Sequence, residues 1–268
     1  MKKILLLTGS ELRHQYIRYM LYKHPMIKIV CAILEGEEQS LENRTNFADD
    51  VHGILRKHII DRKINEEKYF NGIAEIHHPV KFIKKGDINS DFISGIVKNL
   101  DIDYVVCYGC SILTGFWFDI FHNKIINMHL GLSPYYRGSG TNFWAMADNN
   151  FSCVGTTFMY MNKGIDTGKI IIQKRAEIKE QDSPHDIGNR LIKESGEFLP
   201  NLLCSLDDIS HNVIKPQFNT LRRFCSRKDF NVEIVTNFYK NFNKNRDAYL
   251  KNEKYLQESF PICEIKEK

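Results

Sequence analysis

Residues 4–34 decide the fold class, and their sequence is ILLLTGSELRHQYIRYMLYKHPMIKIVCAIL. The aliphatic run 4–7 predicts a buried strand, and the turn after it ends at Ser10, a residue type that often caps a helix. Apolar side chains then recur at helical spacing over 11–23, and 27–34 predicts a second strand. Because a crossover helix usually joins parallel neighbours, we expect an α/β fold with a Rossmann-like, mostly parallel sheet flanked by helices.

The turn after the first strand argues against one common use of this fold. Thr8-Gly9-Ser10 lacks the G-x-G-x-x-G spacing that cradles the diphosphate of a nicotinamide or flavin cofactor. We therefore expect a Rossmann-like fold that does not bind NAD.

Four more strands and two helices are predicted downstream. The strands cover 104–108, 124–129, 153–161 and 169–174, and the helices cover 93–100 and 184–203. Asp182 and Ser183 are the candidate caps of the second helix.

Two polar regions lie outside this pattern. The charge-dense stretch 35–75 has a weak apolar face, which predicts a helical insertion of one or two solvated helices, with a lid or a dimer contact as the alternative. Beyond residue 205 the composition turns polar; 216–227 is expected to continue the fold, and 237–268 to form a peripheral helix and tail. The chain is thus divided into a main domain, 1–205, and a short C-terminal extension, 206–268.

Composition and charge exclude several classes of protein. Lys and Arg number 37 against 33 Asp and Glu, and a net charge of +4 is too small to predict a nucleic-acid partner. No apolar run approaches the roughly 18 residues that span a bilayer. The apolar run after Lys3 is also shorter than the about 7–15 residues of a signal peptide. The default expectation is a cytoplasmic protein.

The cysteines do not predict a disulfide framework or a metal site. They number seven and are irregularly spaced. Cys107 and Cys110 form a C-x-x-C, which could be a redox pair or half of a zinc site, but no second motif completes it. Core packing is therefore the favoured interpretation.

The candidate catalytic residues lie between 127 and 173. Asn127 and His129 are two residues apart on a predicted strand, so their side chains share one face at its carboxyl end, where open α/β sheets bind ligands. An amide and an imidazole placed together can stabilise an oxyanion and move a proton. Asp166, in a glycine-flanked loop, could return to orient the imidazole.

Taken together, these motifs resemble the formyltransferase family that uses 10-formyltetrahydrofolate. The family pattern N-x-H-x-S-L-L-P-x-Y-R-G is followed by W, G-V-T and L-D-x-G. This chain has NMHLGLSPYYRG at 127–138, Trp144, GTT at 155–157 and IDTG at 165–168. Gly131-Leu132-Ser133-Pro134 departs from the S-L-L-P of the family. The likeness extends more loosely from the first strand to about residue 205, which makes 1–205 the catalytic domain.

The resemblance implies roles for individual residues. Asn127, His129 and Asp166 become the catalytic residues: a substrate amine attacks the formyl carbon, Asn127 and His129 donate hydrogen bonds to the oxyanion, and Asp166 helps to take the amine proton. No metal or covalent intermediate is required. The folate co-substrate, N10-formyltetrahydrofolate, is expected along Tyr108, Gly109, Ile112, Leu113, Leu132, Ser133 and Pro134.

The class of acceptor is predicted by excluding the acceptors of other members of the family. Methionyl-tRNA formyltransferases carry a C-terminal barrel, and the purine-pathway enzyme has a phosphate-binding start that is not matched here. The acceptor class that remains is an amino sugar. Such sugars are usually nucleotide-linked and are used for bacterial lipopolysaccharide or capsule. The acceptor would lie in a cleft flanked by Arg13, His14, Arg137 and Trp144, although Arg13 and His14 fit a solvated helix start equally well.

Other functions stay open. They are formyl transfer to methionyl-tRNA or another small amine, hydrolysis of formyltetrahydrofolate, and non-catalytic folate binding. The sequence predicts a small-molecule substrate with no nucleic-acid or membrane partner, and it leaves a homodimer open.

Overall fold

A computed structural model describes residues 1–36, 53–74, 76–219 and 221–265. Within these residues, seven strands form one sheet in the order β3-β2-β1-β4-β5-β7-β8. They are β1 (Lys2–Thr8), β2 (Ile27–Glu35), β3 (Val80–Ile83), β4 (Tyr104–Tyr108), β5 (Ile125–His129), β7 (Gly155–Tyr160) and β8 (Ile170–Arg175). Neighbours from β3 to β5 pair in parallel, whereas β7 and β8 pair antiparallel. The predicted α/β fold with a mostly parallel sheet is confirmed.

Helices flank this sheet, and two short strand pairs lie outside it. The helices of the described residues are α1 (Leu12–Lys23), α2 (Ile54–Phe70), α3 (Asp91–Val97), α4 (Phe116–Ile120), α5 (Thr141–Ala147), α6 (Pro184–Cys204), α7 (Leu206–Asn212) and α8 (Val232–Glu258). β6 (Tyr136–Gly138) pairs in parallel with β10 (Arg223–Cys225), and β9 (Val213–Ile214) pairs antiparallel with β11 (Glu264–Ile265). Across the described ranges, every helix is too short or too polar to cross a membrane.

The aliphatic run of β1 explains why the sheet is covered on both faces. Ile4 and Leu6 pack into one hydrophobic cluster and Leu5 into another, and all three side chains are fully buried. Strands buried on both faces are continuous apolar runs, as this one is. Cys107 of β4 packs in the same cluster as Leu5, so the prediction of core packing for this cysteine is confirmed.

The carboxyl ends of β1 and β4 form the point where the order of the strands reverses. β1 leads to β2 on one side, and the chain later returns to β4 on the other side of β1. In open α/β sheets this crevice is the usual place for a ligand. Here the imidazole of His14 lies between Gly9 and Gly109, and a Cβ atom at Gly9 would come within 2.6 Å of its ring.

The start of α1 differs from the sequence prediction. Glu11, and not Ser10, caps the helix, and the backbone N–H of Glu11 donates to Nδ1 of His14 (3.3 Å). Arg13 and His14 are 9% and 6% exposed, so the interpretation as a solvated helix start is wrong. The reason is that α2 packs against α1 and covers its first turn: Glu66 of α2 accepts a hydrogen bond from Arg13 at 2.6 Å.

α2 lies in the predicted insertion 35–75, of which residues 37–52 and 75 lie outside the described residues. α2 is a helix, as predicted for part of this stretch, but it is solvated on one side only, because its other side packs against α1, α6 and α8. Its buried side chains are Leu55, His58, Ile59, Glu66 and Phe70. Two of the five are polar, and for that reason its apolar periodicity is weak.

The C-terminal segment is also more buried than predicted. α8 begins at Val232 instead of 237, and Phe238, Phe242 and Tyr249 pack with Trp144 and other residues of the main domain. The prediction of a peripheral helix is therefore wrong. α8 also contains many Asn and Lys residues, so its overall composition is polar and does not reveal the apolar face of the helix.

A buried polar cluster joins α2, α6 and α8. The hydroxyl of Tyr239 lies 2.8 Å from Nδ1 of His58 and 3.2 Å from Nε2 of His185. Burial, assisted by the charges of His185 and Arg62, lowers the pKa of His58 to about 3. Burial also lowers the pKa of His185 to about 4.

Acid should therefore weaken the fold through these two imidazoles. They stay neutral in the folded chain but take up protons in the unfolded chain near pH 6.5, so stability present above about pH 6.5 is lost as the pH falls towards 4. In urea unfolding at several pH values, we expect His58→Gln to lose less stability over this range than the wild type. His122→Gln, at an exposed position, is the control. Equal acid losses for His58→Gln and wild type would contradict the assignment.

Candidate functional site

Three polar side chains meet at the carboxyl end of β5. Nδ2 of Asn127 donates to Oδ1 of Asp166 (3.4 Å), and Nδ1 of His129 lies 3.4 Å from the same oxygen. The alternation of β5 puts Asn127 and His129 on one face, and the loop between β7 and β8 brings Asp166 across to them. The three residues singled out in the sequence therefore lie together in the structure.

Both ring nitrogens of His129 face oxygen acceptors. Nε2 lies 3.3 Å from the carbonyl oxygen of Tyr136, and Nδ1 faces the carboxylate of Asp166. A neutral imidazole has only one N–H, whereas the imidazolium form donates from both nitrogens. Carbonyl and carboxylate oxygens only accept, so each of these contacts is a hydrogen bond only where the ring nitrogen carries a hydrogen. An N–H that turns from one of these acceptors to a substrate can donate to a developing oxyanion.

Asp166 is fixed from two sides. Its second oxygen, Oδ2, accepts a hydrogen bond from the backbone N–H of Gly138 at 2.8 Å. Gly138 ends β6, which is itself paired with β10 of the C-terminal segment. The side chain of Asp166 is only 10% exposed, so its carboxylate interacts with these partners with little screening by water.

The loop after His129 is held by two side chains from the antiparallel strands. Oγ1 of Thr157 donates to the carbonyl of Gly131 (2.6 Å) and accepts from the N–H of Ser133 (3.0 Å). Nε2 of Gln173 donates to the carbonyl of Ser133 at 2.6 Å. The sequence analysis gave Thr157 and Gln173 no role; the signal that could have found them is that each lies directly beside the apolar run of its strand.

The C-terminal tail reaches the same network. The backbone N–H of Cys263 donates to Oε1 of Gln173 at 3.1 Å, and the N–H of Gln173 donates to the carbonyl of Cys263 at 2.8 Å. The tail thereby supports the loop that follows His129.

The residues expected to contact folate occupy two loops with different exposure. Ile112 is 60% exposed, whereas the side chains of Tyr108, Leu113, Leu132 and Ser133 are buried. The hydroxyl groups of Tyr108 and Ser133 are buried and have no hydrogen-bond partner within the described ranges. Gly109 has a φ of +70°, and a Cβ there would meet the ring of His14, so only glycine suits this position. The bond between Ser133 and Pro134 is cis.

The residues expected to contact the acceptor separate into three buried ones and one half-exposed one. Arg13 pairs with Glu11 and Glu66, and burial, together with the charge of Arg13, lowers the pKa of His14 well below its usual value. Trp144 is 3% exposed in the core, and the guanidinium of Arg223 lies 4.5 Å from the centre of its ring. Among the described residues, no hydrogen bond, ion pair or ring contact joins these three side chains to Asn127, His129 or Asp166. Arg137 is half-buried and directly precedes Gly138, and its buried Nε has no hydrogen-bond partner in the described part of the chain.

The sequence matches a known protein family. The profile described as formyl transferase covers residues 25–203. The methionyl-tRNA formyltransferase of Clostridium tetani is 32% identical over 138 residues, which are 52% of this chain and 39% of that protein. That of Anaeromyxobacter dehalogenans is 33% identical over 109 residues, which are 40% of this chain and 35% of that protein. The chain therefore spans less than two fifths of the length of these curated relatives.

Solved structures share the fold. A phosphoribosylglycinamide formyltransferase from Anaplasma phagocytophilum superposes with a TM-score of 0.55 at 17% identity, covering 84% of this chain and 99% of that one. A sugar N-formyltransferase from a Shewanella species gives a TM-score of 0.54 at 17% identity, covering 86% of this chain and 78% of that one. Identities this low compare the fold alone.

Proposed function

The chain belongs to the formyl transferase family, and we propose that it moves a formyl group from N10-formyltetrahydrofolate to the amine of a small acceptor. The observation that carries the proposal is the convergence of Asn127, His129 and Asp166. One carboxylate oxygen lies 3.4 Å from both the amide of Asn127 and the imidazole of His129. We propose that these three side chains act on the formyl carbon.

The proposed mechanism needs only these side chains and the two substrates. The neutral amine attacks the formyl carbon, and a tetrahedral intermediate with a negative oxygen forms. Asn127 and His129 donate hydrogen bonds to that oxygen. Asp166 takes the proton of the attacking amine, directly or through water. The bond from carbon to N10 then breaks, N10 receives the proton that Asp166 took from the amine, and the products are a formamide and tetrahydrofolate.

The folate is proposed to lie along the two loops that flank β5. The loop after β4 offers the exposed side chain of Ile112 and the backbone around Gly109 and Leu113. The loop 132–134, from Leu132 to Pro134, follows His129 on the other side and is fixed by Thr157 and Gln173. A ligand between them would have its N10 near Asp166. An apolar site with few polar anchors suits a folate.

An amino sugar, usually nucleotide-linked, is the proposed acceptor. Arg137 supports this choice, because it directly precedes Gly138, which binds Asp166, and its buried Nε has no hydrogen-bond partner among the described residues. A guanidinium next to the residue that binds Asp166 suits the phosphate of a nucleotide-linked sugar. The net charge of +4 supports a small acceptor more than a polyanion.

Methionyl-tRNA is the second candidate acceptor, because the curated relatives named above are methionyl-tRNA formyltransferases. The experiment is to incubate the protein with 10-formyltetrahydrofolate and a panel of acceptors: nucleotide-linked 3-amino and 4-amino deoxysugars, methionyl-tRNA and glycinamide ribonucleotide. Mass spectrometry then identifies the formyl adduct. We expect transfer to at least one amino sugar and none to tRNA.

Each other outcome assigns a different function. Formylation of methionyl-tRNA alone would replace the sugar but keep the formyl transfer. Formate release that does not depend on any amine would identify a hydrolase. Folate binding without turnover on the whole panel would identify a binding protein.

A further inference from the structure

The loop 109–114, which follows β4, is held by two side chains that no catalytic argument uses. One is Glu35, the last residue of β2, and the other is Asn89, which precedes α3. We propose that Glu35 and Asn89 are positioning residues that hold this loop in the shape that receives the folate. This inference rests on the proposed function, since the folate is assigned to the loop there.

Glu35 ties three parts of the carboxyl edge of the sheet together. Its side chain is fully buried, and its two oxygens accept hydrogen bonds from the backbone N–H groups of Gly86 (2.8 Å) and Ser111 (2.5 Å). Nζ of Lys85 lies 3.2 Å from the same oxygen that binds Ser111. A carboxylate without water must have such partners, and charged acceptors make the stronger hydrogen bonds. The loop is therefore fixed to β2 at Ser111.

Asn89 fixes the same loop one and three residues after Ser111. Its Nδ2 donates to the carbonyl of Ile112 (2.9 Å), and its Oδ1 accepts from the N–H of Thr114 (2.9 Å). One amide thus pairs with two backbone groups of the loop, in the manner of a neighbouring strand. Beside it, the indole of Trp117 donates to the carbonyl of Ile88 at 3.1 Å, which anchors the segment that carries Asn89.

The contacts made by Glu35 and Asn89 leave the side chain of Ile112 free to meet a ligand. They engage the backbone of Ser111, Ile112 and Thr114, yet the side chain of Ile112 remains 60% exposed. A large apolar side chain presented to water on a backbone that is fixed at both sides is suited to contact a ligand. Since the loop is ordered before the ligand arrives, binding does not have to supply that ordering free energy. Loosening the loop should weaken folate binding and leave the chemistry at Asp166 unchanged.

The test compares Glu35→Gln and Asn89→Ala with the wild type. Binding of tetrahydrofolate is measured by calorimetry, and formyl transfer is measured at saturating and limiting 10-formyltetrahydrofolate. Each substitution removes one or two hydrogen bonds to the loop, so we expect the Kd for tetrahydrofolate and the KM for the formyl donor to rise about tenfold. The kcat at saturating donor and the KM for the acceptor should stay within about twofold of wild type.

Asp182→Asn is the matched control. Asp182 is a buried carboxylate that also accepts a backbone N–H, that of Lys179 (2.7 Å), and binds an arginine, Arg190. Its partners lie outside the loop 109–114. Its substitution should lower the Tm as Glu35→Gln does but leave the Kd for tetrahydrofolate unchanged.

The outcomes separate this inference from the proposed function. If Glu35→Gln and Asn89→Ala fold and bind folate with wild-type affinity, the inference is overturned. The proposed function still stands in that case, provided that the wild type transfers the formyl group. An equal loss of affinity in Asp182→Asn would also overturn it, because general destabilisation would then explain the effect. If Glu35→Gln does not fold, Asn89→Ala, at a half-buried position, decides. A wild-type protein that neither binds folate nor transfers formyl groups would overturn both.

Discussion

His129→Gln should lose formyl transfer by about 10²–10³-fold in kcat while the protein stays folded. Glutamine keeps a donor near the same place, but it cannot face the carboxylate of Asp166 and the carbonyl of Tyr136 with two ring nitrogens as the imidazole does. Asn127→Ala removes the other donor and should cost a similar factor. The measurement is the steady-state rate with saturating donor and acceptor.

Asp166→Asn tests the carboxylate itself. Asparagine also tolerates the left-handed backbone at this position, where φ is +50°, so the loop should keep its shape. The amide removes the negative charge beside His129, and we expect a loss as large as for His129→Gln. His122→Gln, which changes an exposed histidine, is the control and should keep the wild-type rate. A His129→Gln variant with most of its activity would overturn the mechanism.

Gly131→Ala should reduce kcat by about 100-fold although it replaces no catalytic side chain. A Cβ at this position would lie 2.6 Å from Nε2 of His129 and even closer to the hydroxyl of Thr141. Thr141 cannot easily move away, because its hydroxyl donates to the carbonyl of Leu130. The imidazole must therefore shift, and a displacement of about 1 Å is enough for a loss of this size.

Gly188→Ala is the matched control for this substitution. Gly188 lies inside α6 with no atom within 4 Å of its added Cβ, so the variant should keep full activity and gain about 0.5–1 kcal/mol of stability. Rates and urea unfolding are measured for both variants. Wild-type kcat in a folded Gly131→Ala protein would show that the close approach of Gly131 to His129 has no bearing on catalysis.

The sequence predicted best where local periodicity and burial agree. The run 4–7 became the fully buried centre of β1, and the helix predicted over 184–203 is α6, Pro184–Cys204, capped by Ser183. The pair Asn127 and His129 could be placed on one strand face because the side chains of a strand alternate. Their distance to Asp166 could not be predicted, since it depends on the path of the loop between β7 and β8.

Long-range contacts explain what sequence reasoning missed. Three-residue strands such as β6 and β10 carry no periodic signal, and their pairing joins segments far apart in the chain. Glu35 was taken as the start of a solvated stretch, although it is fully buried at the end of β2. Its one local signal is its place directly after an apolar strand, at the edge where parallel sheets bind ligands.

The central claim is that the cluster of Asn127, His129 and Asp166 passes a formyl group to an amine. The most direct measurement is a single-turnover reaction of the protein with 10-formyltetrahydrofolate carrying an isotope-labelled formyl carbon, with and without the amino-sugar panel, followed by mass spectrometry of acceptor, folate and formate. We expect the label on the sugar amine with the wild type, and on folate alone with His129→Gln or Asp166→Asn. Label released as formate at the same rate with and without acceptor, or label transferred equally well by these variants, would contradict the claim.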